Sequence, residues 1–218
     1  MTLNKCGALW IWFGTNMVVD NKHFDWDKIS KFYAHPVWLL NGLFIEQHEE
    51  SMRHCHVISD WIVQSKFKNI LDYRVGFGTL ARLIAQKNKA TTVNIYEPHP
   101  SEFGLKRKLE FNKINIISKL DQNYDCLVSA DVLEHVPNPI NDFVNIIKSV
   151  KTDGYLVIAN CFHSVIKCHL PQIFHLKYTL NQFAKMLGLE VIGLLEDSHA
   201  TIYKKVVDVN LFGKNKVI

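Results

Sequence analysis

Two glycines, Gly76 and Gly78, and one carboxylate, Glu97, carry the clearest chemical signal in this sequence. An apolar run beginning at Ile70 and Leu71 precedes the glycines, and residues 79–86 follow them with apolar side chains at Leu80, Leu83 and Ile84. That spacing predicts a strand, a Gly-x-Gly turn and a helix in succession. Such a unit aims unpaired first-turn N–H groups and the positive end of a helix at one spot, where they want an acceptor. Glycine serves where a ligand lies against the backbone or where φ is positive. Residues 91–96 are β-branched and apolar enough for the next strand, and Glu97 closes it. A carboxylate at the tip of a second strand, about 20 residues past the turn, can accept both hydroxyls of an adenosine ribose. Gly76-Phe77-Gly78-Thr79-Leu80-Ala81 also fits Gly-x-Gly-x-x-Ala, so on these residues alone a nicotinamide dinucleotide stays open.

The elements that must hold these residues alternate. Strands are expected at 69–73, 91–96, 114–117, 124–129 and 155–160, the last entered through an Asp153-Gly154 turn. Helices are expected at 79–86, 100–111 and 138–150. This alternation predicts an α/β fold with a doubly wound, mostly parallel sheet. A further helix over 179–187 stops at Gly188, and strands at 190–195 and 201–207 follow. The link at 196–199 is too short for a helix, so these last two strands must be antiparallel, a terminal hairpin. The sheet domain spans 67–207. Ahead of it, 20–66 reads as a helical cap: a short helix over 25–32 with Asp25 as N-cap, a break at His35-Pro36, and a helical region to Lys66 bent at Asn41-Gly42. Tyr33 and Trp38 are aromatic candidates for a pocket wall, with core packing the alternative. Residues 1–19 read as an irregular leader, with Met17 an alternative start to Met1, and 208–218 as a polar tail.

Composition narrows the class. The chain has 218 residues, 48% hydrophobic and 21% charged, enough to bury a sizeable core. Its net charge of +4 comes from scattered lysines rather than a basic stripe, which argues against a nucleic-acid partner. The Lys106-Arg107-Lys108 run reads as a solvated helix face. Five cysteines, without C-x-x-C spacing, suit a reduced, cytoplasmic protein. The apolar run at 8–13 is too short to span a bilayer, so no membrane is expected.

Four segments resemble the class I S-adenosylmethionine-dependent methyltransferases. Ile70-Leu71-Asp72-Tyr73-Arg74-Val75-Gly76-Phe77-Gly78 resembles that family's first motif, and Tyr96-Glu97-Pro98 its acidic second motif. The segment from Tyr124 to Pro137, with Asp131-Val132-Leu133-Glu134-His135 at its centre, resembles the family's fourth-strand motif and is the most specific of the four. Lys151 to Leu156 resembles the loop entering the fifth strand. The likeness covers roughly 69–207 and implies a Rossmann-like fold with an antiparallel last strand, S-adenosylmethionine as cofactor and a small-molecule substrate. It implies that Asp72 and Tyr73 organise the turn and the amino end of the cofactor, and that Gly76 and Gly78 pass close to it. Glu97 would hold the ribose, Pro98 would pack near the adenine, and Leu120 or Asp121 would lie at the adenine edge. Ser129 and Ala130 would face the sulfonium. Arg74 departs from the pattern, standing where the family has its first glycine. That departure predicts weaker cofactor binding, and leaves a degenerate, non-catalytic binding protein as one alternative. The other is the NAD(P)-binding oxidoreductase, which the terminal hairpin and the Asp-Val-Leu-Glu-His segment disfavour.

Methyl transfer from a sulfonium is an in-line displacement, so alignment supplies much of the rate, and a base helps when the acceptor is a hydroxyl. His135, just past the fourth strand, is the first candidate for that base. Glu134 is expected to cap or pair. His163, His169 and His175 lie in a looser segment after strand five, and their spacing places no metal site. Oligomeric state is not read from these residues.

Overall fold

A computed structural model describes residues 37–98, 100, 102–163, 169 and 171–208. The expected leader, the 25–32 helix, Tyr33, the side chain of Trp38 and the tail from 209 lie outside the described residues.

Among the described residues, two helices precede the sheet, α1 (Val37–Ile45) and α2 (Glu49–Gln64). Their break falls at 46–48 rather than at Asn41-Gly42, because His48 is extended and its ring accepts the Ser51 N–H at 3.3 Å. Glu49 and Glu50 then occupy the first turn of α2, where the helix dipole favours negative charge. Gly42 stays inside α1 for a packing reason: a Cβ there would fall 2.4 Å from the Phe77 ring. α2 packs directly onto the sheet. Its Ile58 and Ile62 are fully buried and join the core on one face of the sheet.

The rest alternates as expected: β1 (Asn69–Tyr73), α3 (Thr79–Lys87), β2 (Thr92–Tyr96), α4 (Glu102–Leu109), β3 (Ile114–Ile117), β4 (Tyr124–Ala130), a 3-10 turn (Leu133–His135), α5 (Pro139–Ser149) and β5 (Val150–Ala159). A second 3-10 turn (Pro171–Ile173), α6 (Leu176–Met186), β6 (Leu189–Leu194) and β7 (Thr201–Lys205) complete it. The seven strands lie in the order β3-β2-β1-β4-β5-β7-β6. The first five are parallel, and β7 runs antiparallel to both β5 and β6. Neighbouring residues feed opposite cores. Leu71 and Leu127 pack with α5 and α6, while Ile70, Cys126 and Val128 pack with α2 and α3. Continuous apolar strands are what a sheet covered on both faces requires.

The largest boundary difference falls at the start of β5. Asp153-Gly154 makes no turn ahead of β5 but lies within it, because the β4–β5 register shifts between Tyr124 and Cys126 and absorbs the irregularity as a bulge. Asp153 takes φ +63, and a Cβ on Gly154 would sit 2.9 Å from the Lys151 carbonyl oxygen. Strand order reverses between β1 and β4, so their carboxyl ends open a crevice at the switch point, where α/β sheets bind ligands.

Candidate active site

The turn after β1 is built on positive φ. Arg74, Gly76 and Gly78 have φ of +57, +49 and +74. The Arg74 N–H donates to the Tyr96 carbonyl at 2.7 Å, tying the turn to the end of β2, and the Gly78 N–H donates to the Val75 carbonyl at 2.8 Å. Gly78 is the N-cap of α3 and supplies no capping side chain. Glu97 completes the arrangement: its carboxylate accepts the Gly76 N–H at 2.9 Å. A Cβ on Gly76 would meet nothing within 4 Å, so space stands open beside this turn.

Asp72 is buried at the floor of the turn and accepts a backbone hydrogen bond from Ala81 in α3. Burial pushes its carboxyl up to about 7, against the pull of Lys108. That lysine corrects the sequence reading of α4. Lys108 is 1% exposed, its stem covers Gly78, and its Nζ donates to the Gly76 carbonyl at 3.2 Å. Arg107 is bound as well, pairing with Glu46 at 2.8 Å and lying 4.8 Å over the Phe77 ring. Only Lys106 of the three basic residues is exposed. The signal in the sequence was the four-residue spacing of Gly104 and Lys108, which share the buried face of the helix.

Arg74 turns its side chain toward α5. Its guanidinium stands 3.6 Å from Asp142 in α5 and 5.6 Å over the Tyr73 ring. The Tyr73 hydroxyl donates to the same Asp142 carboxylate at 3.0 Å, and Tyr73 stacks on Tyr96. Burial foremost drives the Tyr73 phenol up to about 12. Pro98 is exposed beyond β2, Leu120 packs against the core, and Asp121 accepts the Gln122 N–H at 2.8 Å.

The tip of β4 is the second half of the site. Ser129 is fully buried, and its Oγ has no hydrogen-bond partner among the described residues. Ala130 is half-buried beside it, and Asp131 follows at φ +52 with its N–H on the Ala159 carbonyl at 2.9 Å. The 3-10 turn then buries Glu134, whose carboxylate accepts the Cys161 N–H at 2.7 Å. Burial, with Asp131 adding, raises the Glu134 carboxyl to about 7. His135 meets His169 edge-on at 4.8 Å, and the buried His169 ring nitrogen lies 2.7 Å from the His163 carbonyl oxygen. Potential ligand atoms of Glu134, His135 and His169 all fall within 4.8 Å of one another. Sequence spacing placed no metal site; the fold brings these three side chains together from two segments. His163 and His175 do not join them; the His175 ring bonds the Gln172 carbonyl at 3.0 Å. Two more imidazoles, His54 and His199, gather at Asp131 with no warning from local spacing.

A sequence model of the methyltransferase domain matches residues 46–192. The chain belongs to the methyltransferase-domain family. Among its relatives is the ubiquinone biosynthesis O-methyltransferase of Coxiella burnetii, 24% identical over 179 residues covering 78% of this methyltransferase and 76% of the relative. The enzyme of the same name in Photobacterium profundum is 28% identical over 140 residues, 59% of this chain and 60% of that one. The fold matches an O-methyltransferase family protein from Burkholderia thailandensis, with a TM-score of 0.55 at 14% identity over 84% of this chain and 61% of the other. It also matches an O-methyltransferase of neocarzinostatin biosynthesis, solved with S-adenosylmethionine and 2-hydroxy-5-methyl naphthoic acid, with a TM-score of 0.56 at 14% identity over 78% and 56% of the two chains. The methyltransferase therefore spans little more than half the length of these two structural neighbours.

The family's cofactor is S-adenosylmethionine, which supplies a methyl group on a positively charged sulfur. The residues present suit it. Open space beside Gly76, the Glu97 carboxylate at the end of β2 and the unpartnered Ser129 Oγ give a nucleoside-bearing cation a backbone cradle, a hydroxyl acceptor and a polar wall.

Proposed function

We propose that this methyltransferase moves the methyl group of S-adenosylmethionine onto a small molecule, with an oxygen nucleophile as acceptor. The observation that carries the reading is the Glu97–Gly76 hydrogen bond, which holds a carboxylate at the end of β2 against the glycine turn. Glu97 holds the ribose hydroxyls, Asp72 and Tyr73 support the turn, Gly76 and Gly78 admit the cofactor, and Ser129 and Ala130 line its sulfonium end. Pro98, Leu120 and Asp121 border the adenine. His135 is the catalytic group on the acceptor side, hydrogen-bonding the nucleophile and aligning it with the methyl. The names of the O-methyltransferase relatives support an oxygen acceptor. Free Cys55, Cys126 and Cys161 support a cytoplasmic setting, and the scattered lysines support a reading without nucleic acid. No helix among the described residues is long and apolar enough to cross a membrane.

Calorimetry with S-adenosylhomocysteine tests the reading. The wild type binds, and Glu97→Ala weakens binding by about 1–3 kcal/mol, the cost of losing charge-assisted hydrogen bonds. Equal affinities for the two proteins would remove Glu97 from the cofactor site.

A further inference from the structure

Three distant segments deliver ionisable side chains to one point at the carboxyl end of β4. Asp131 is the first residue past the strand, His54 comes from α2, and His199 comes from the turn between β6 and β7. The His199 Nε2 lies 3.5 Å from the Asp131 carboxylate. Its ring stacks on the His54 ring, with centroids 4.1 Å apart and planes 5° from parallel. The turn that carries it is itself braced. Ser198 Oγ contacts His54 Nδ1 at 2.8 Å and accepts the Ala200 N–H at 3.0 Å, and the Leu195 N–H donates to the Ala200 carbonyl at 2.8 Å. A carboxylate on one ring nitrogen and a flat neighbour on one ring face fix both the tautomer and the orientation of an imidazole. The other nitrogen, Nδ1, has no hydrogen bond among the described residues, and the His199 side chain keeps 52% of its surface.

We propose that His199, oriented by Asp131, takes the acceptor's proton as the methyl is transferred. This rests on the small-molecule methyl-transfer reading above and adds the proton's destination to it. The His199 Nε2–H faces Asp131, and Nδ1 receives the proton of the acceptor hydroxyl. The acceptor oxygen forms its bond to the methyl carbon as the carbon–sulfur bond breaks, and that bond's electron pair returns to sulfur. One positive charge enters on sulfur and one leaves on the imidazolium, which then passes its proton to water. His135 aligns the nucleophile. Asp131 and His54 are positioning residues, since they act through His199.

The surrounding charges suit the division of labour. Asp131 foremost, with Glu134 and Glu50, holds the His199 pKa above the ordinary imidazole value against its burial. Burial and the neighbouring His199 charge lower His54 to about 4, so His54 stays neutral and does not compete for the proton. Against its burial, the Asp131 carboxyl is held below its usual range foremost by its contact with His199. A base raised in this way is a better proton acceptor near neutral pH.

The test uses the full chain saturated with S-adenosylhomocysteine and 4-nitrophenol as the hydroxyl probe, since its phenolate absorbs visible light. On the wild type, bound probe ionises at a lower pH than free probe. His199→Gln cuts the bound phenolate at least tenfold while S-adenosylhomocysteine affinity stays within twofold, which also shows the variant to be folded. Free imidazole in the buffer restores part of the signal, and Asp131→Asn gives an intermediate loss. Undiminished phenolate in His199→Gln, or none on the wild type, would overturn the proposal. Failure of the wild type to bind S-adenosylhomocysteine, read separately by calorimetry, would bring down the methyl-transfer reading beneath it.

Discussion

Replacing Arg74 with glycine should leave cofactor affinity almost unchanged, although the sequence pattern alone predicts a gain. The gain assumes that a side chain at this position displaces the turn or blocks the pocket. In the structure Arg74 already holds φ +57, the conformation a glycine would take, and its guanidinium is drawn off to Asp142 at 3.6 Å. The backbone amides that follow therefore have no reason to move. The stability terms nearly cancel. Relief of the left-handed conformation gains about 1–2 kcal/mol, while the greater freedom of glycine in the unfolded chain costs about 0.5–1 kcal/mol. The half-buried ion pair contributes about 0.2–1 kcal/mol, and the guanidinium over Tyr73 roughly 0.5–1 kcal/mol more. At the middle of these ranges the sum lies within about 1 kcal/mol of zero, on the side of a small loss. Paired calorimetry on wild type and Arg74→Gly should give S-adenosylhomocysteine affinities within about threefold, or 0.7 kcal/mol. Tightening of tenfold or more would mean that the guanidinium intrudes on the cofactor, and the argument from backbone conformation would fail.

Other perturbations probe the turn and its supports. Asp72 has a folded carboxyl near 7 against 3.8 for the ordinary group, so the native state holds more protons than the unfolded chain between about pH 4 and 7. Its contribution to stability therefore falls as pH rises through that window, by on the order of 4 kcal/mol, the pull of Lys108 being already contained in the folded value. Melting curves from pH 4 to 8 should show a shallower decline for Asp72→Asn, and parallel curves would contradict the assignment. Glu46 accepts the Thr79 hydroxyl at 2.9 Å and pairs with Arg82 and Arg107. Glu46→Ala strands two guanidinium groups and should lower the denaturant midpoint by about 1–3 kcal/mol of stability at unchanged slope; an unmoved midpoint would show the cluster to be idle.

Much of the fold was legible because its signals are local. β1 and β3 fall where apolar runs flanked by turn residues place them, and the short 196–199 link is by itself enough to make the last two strands antiparallel. The glycine turn and Glu97 were legible for the same reason, each being tied to the end of one strand. What stayed hidden depends on faces and on distance along the chain. Lys108 looks solvated in a basic run until α4 is given its rotation. The meeting of His54, Asp131 and His199 spans 145 residues of sequence, from position 54 to 199, and no local period encodes it. Asp153-Gly154 carries ordinary turn chemistry, yet a strand can accommodate it when its partner slips register.

The place of β7 has a consequence for how the chain is made. The last strand among the described residues does not sit at the rim but is inserted between β5 and β6, pairing with residues 155–158 on one side and 189–194 on the other. On the ribosome, β5 emerges long before its neighbour, and Leu156, Val157 and Ile158, all buried in the finished sheet, present an unpaired edge until residues 201–205 leave the exit tunnel. An apolar open edge is a template for pairing with other chains. A chain interrupted anywhere between β5 and β7 therefore keeps an aggregation-prone edge open.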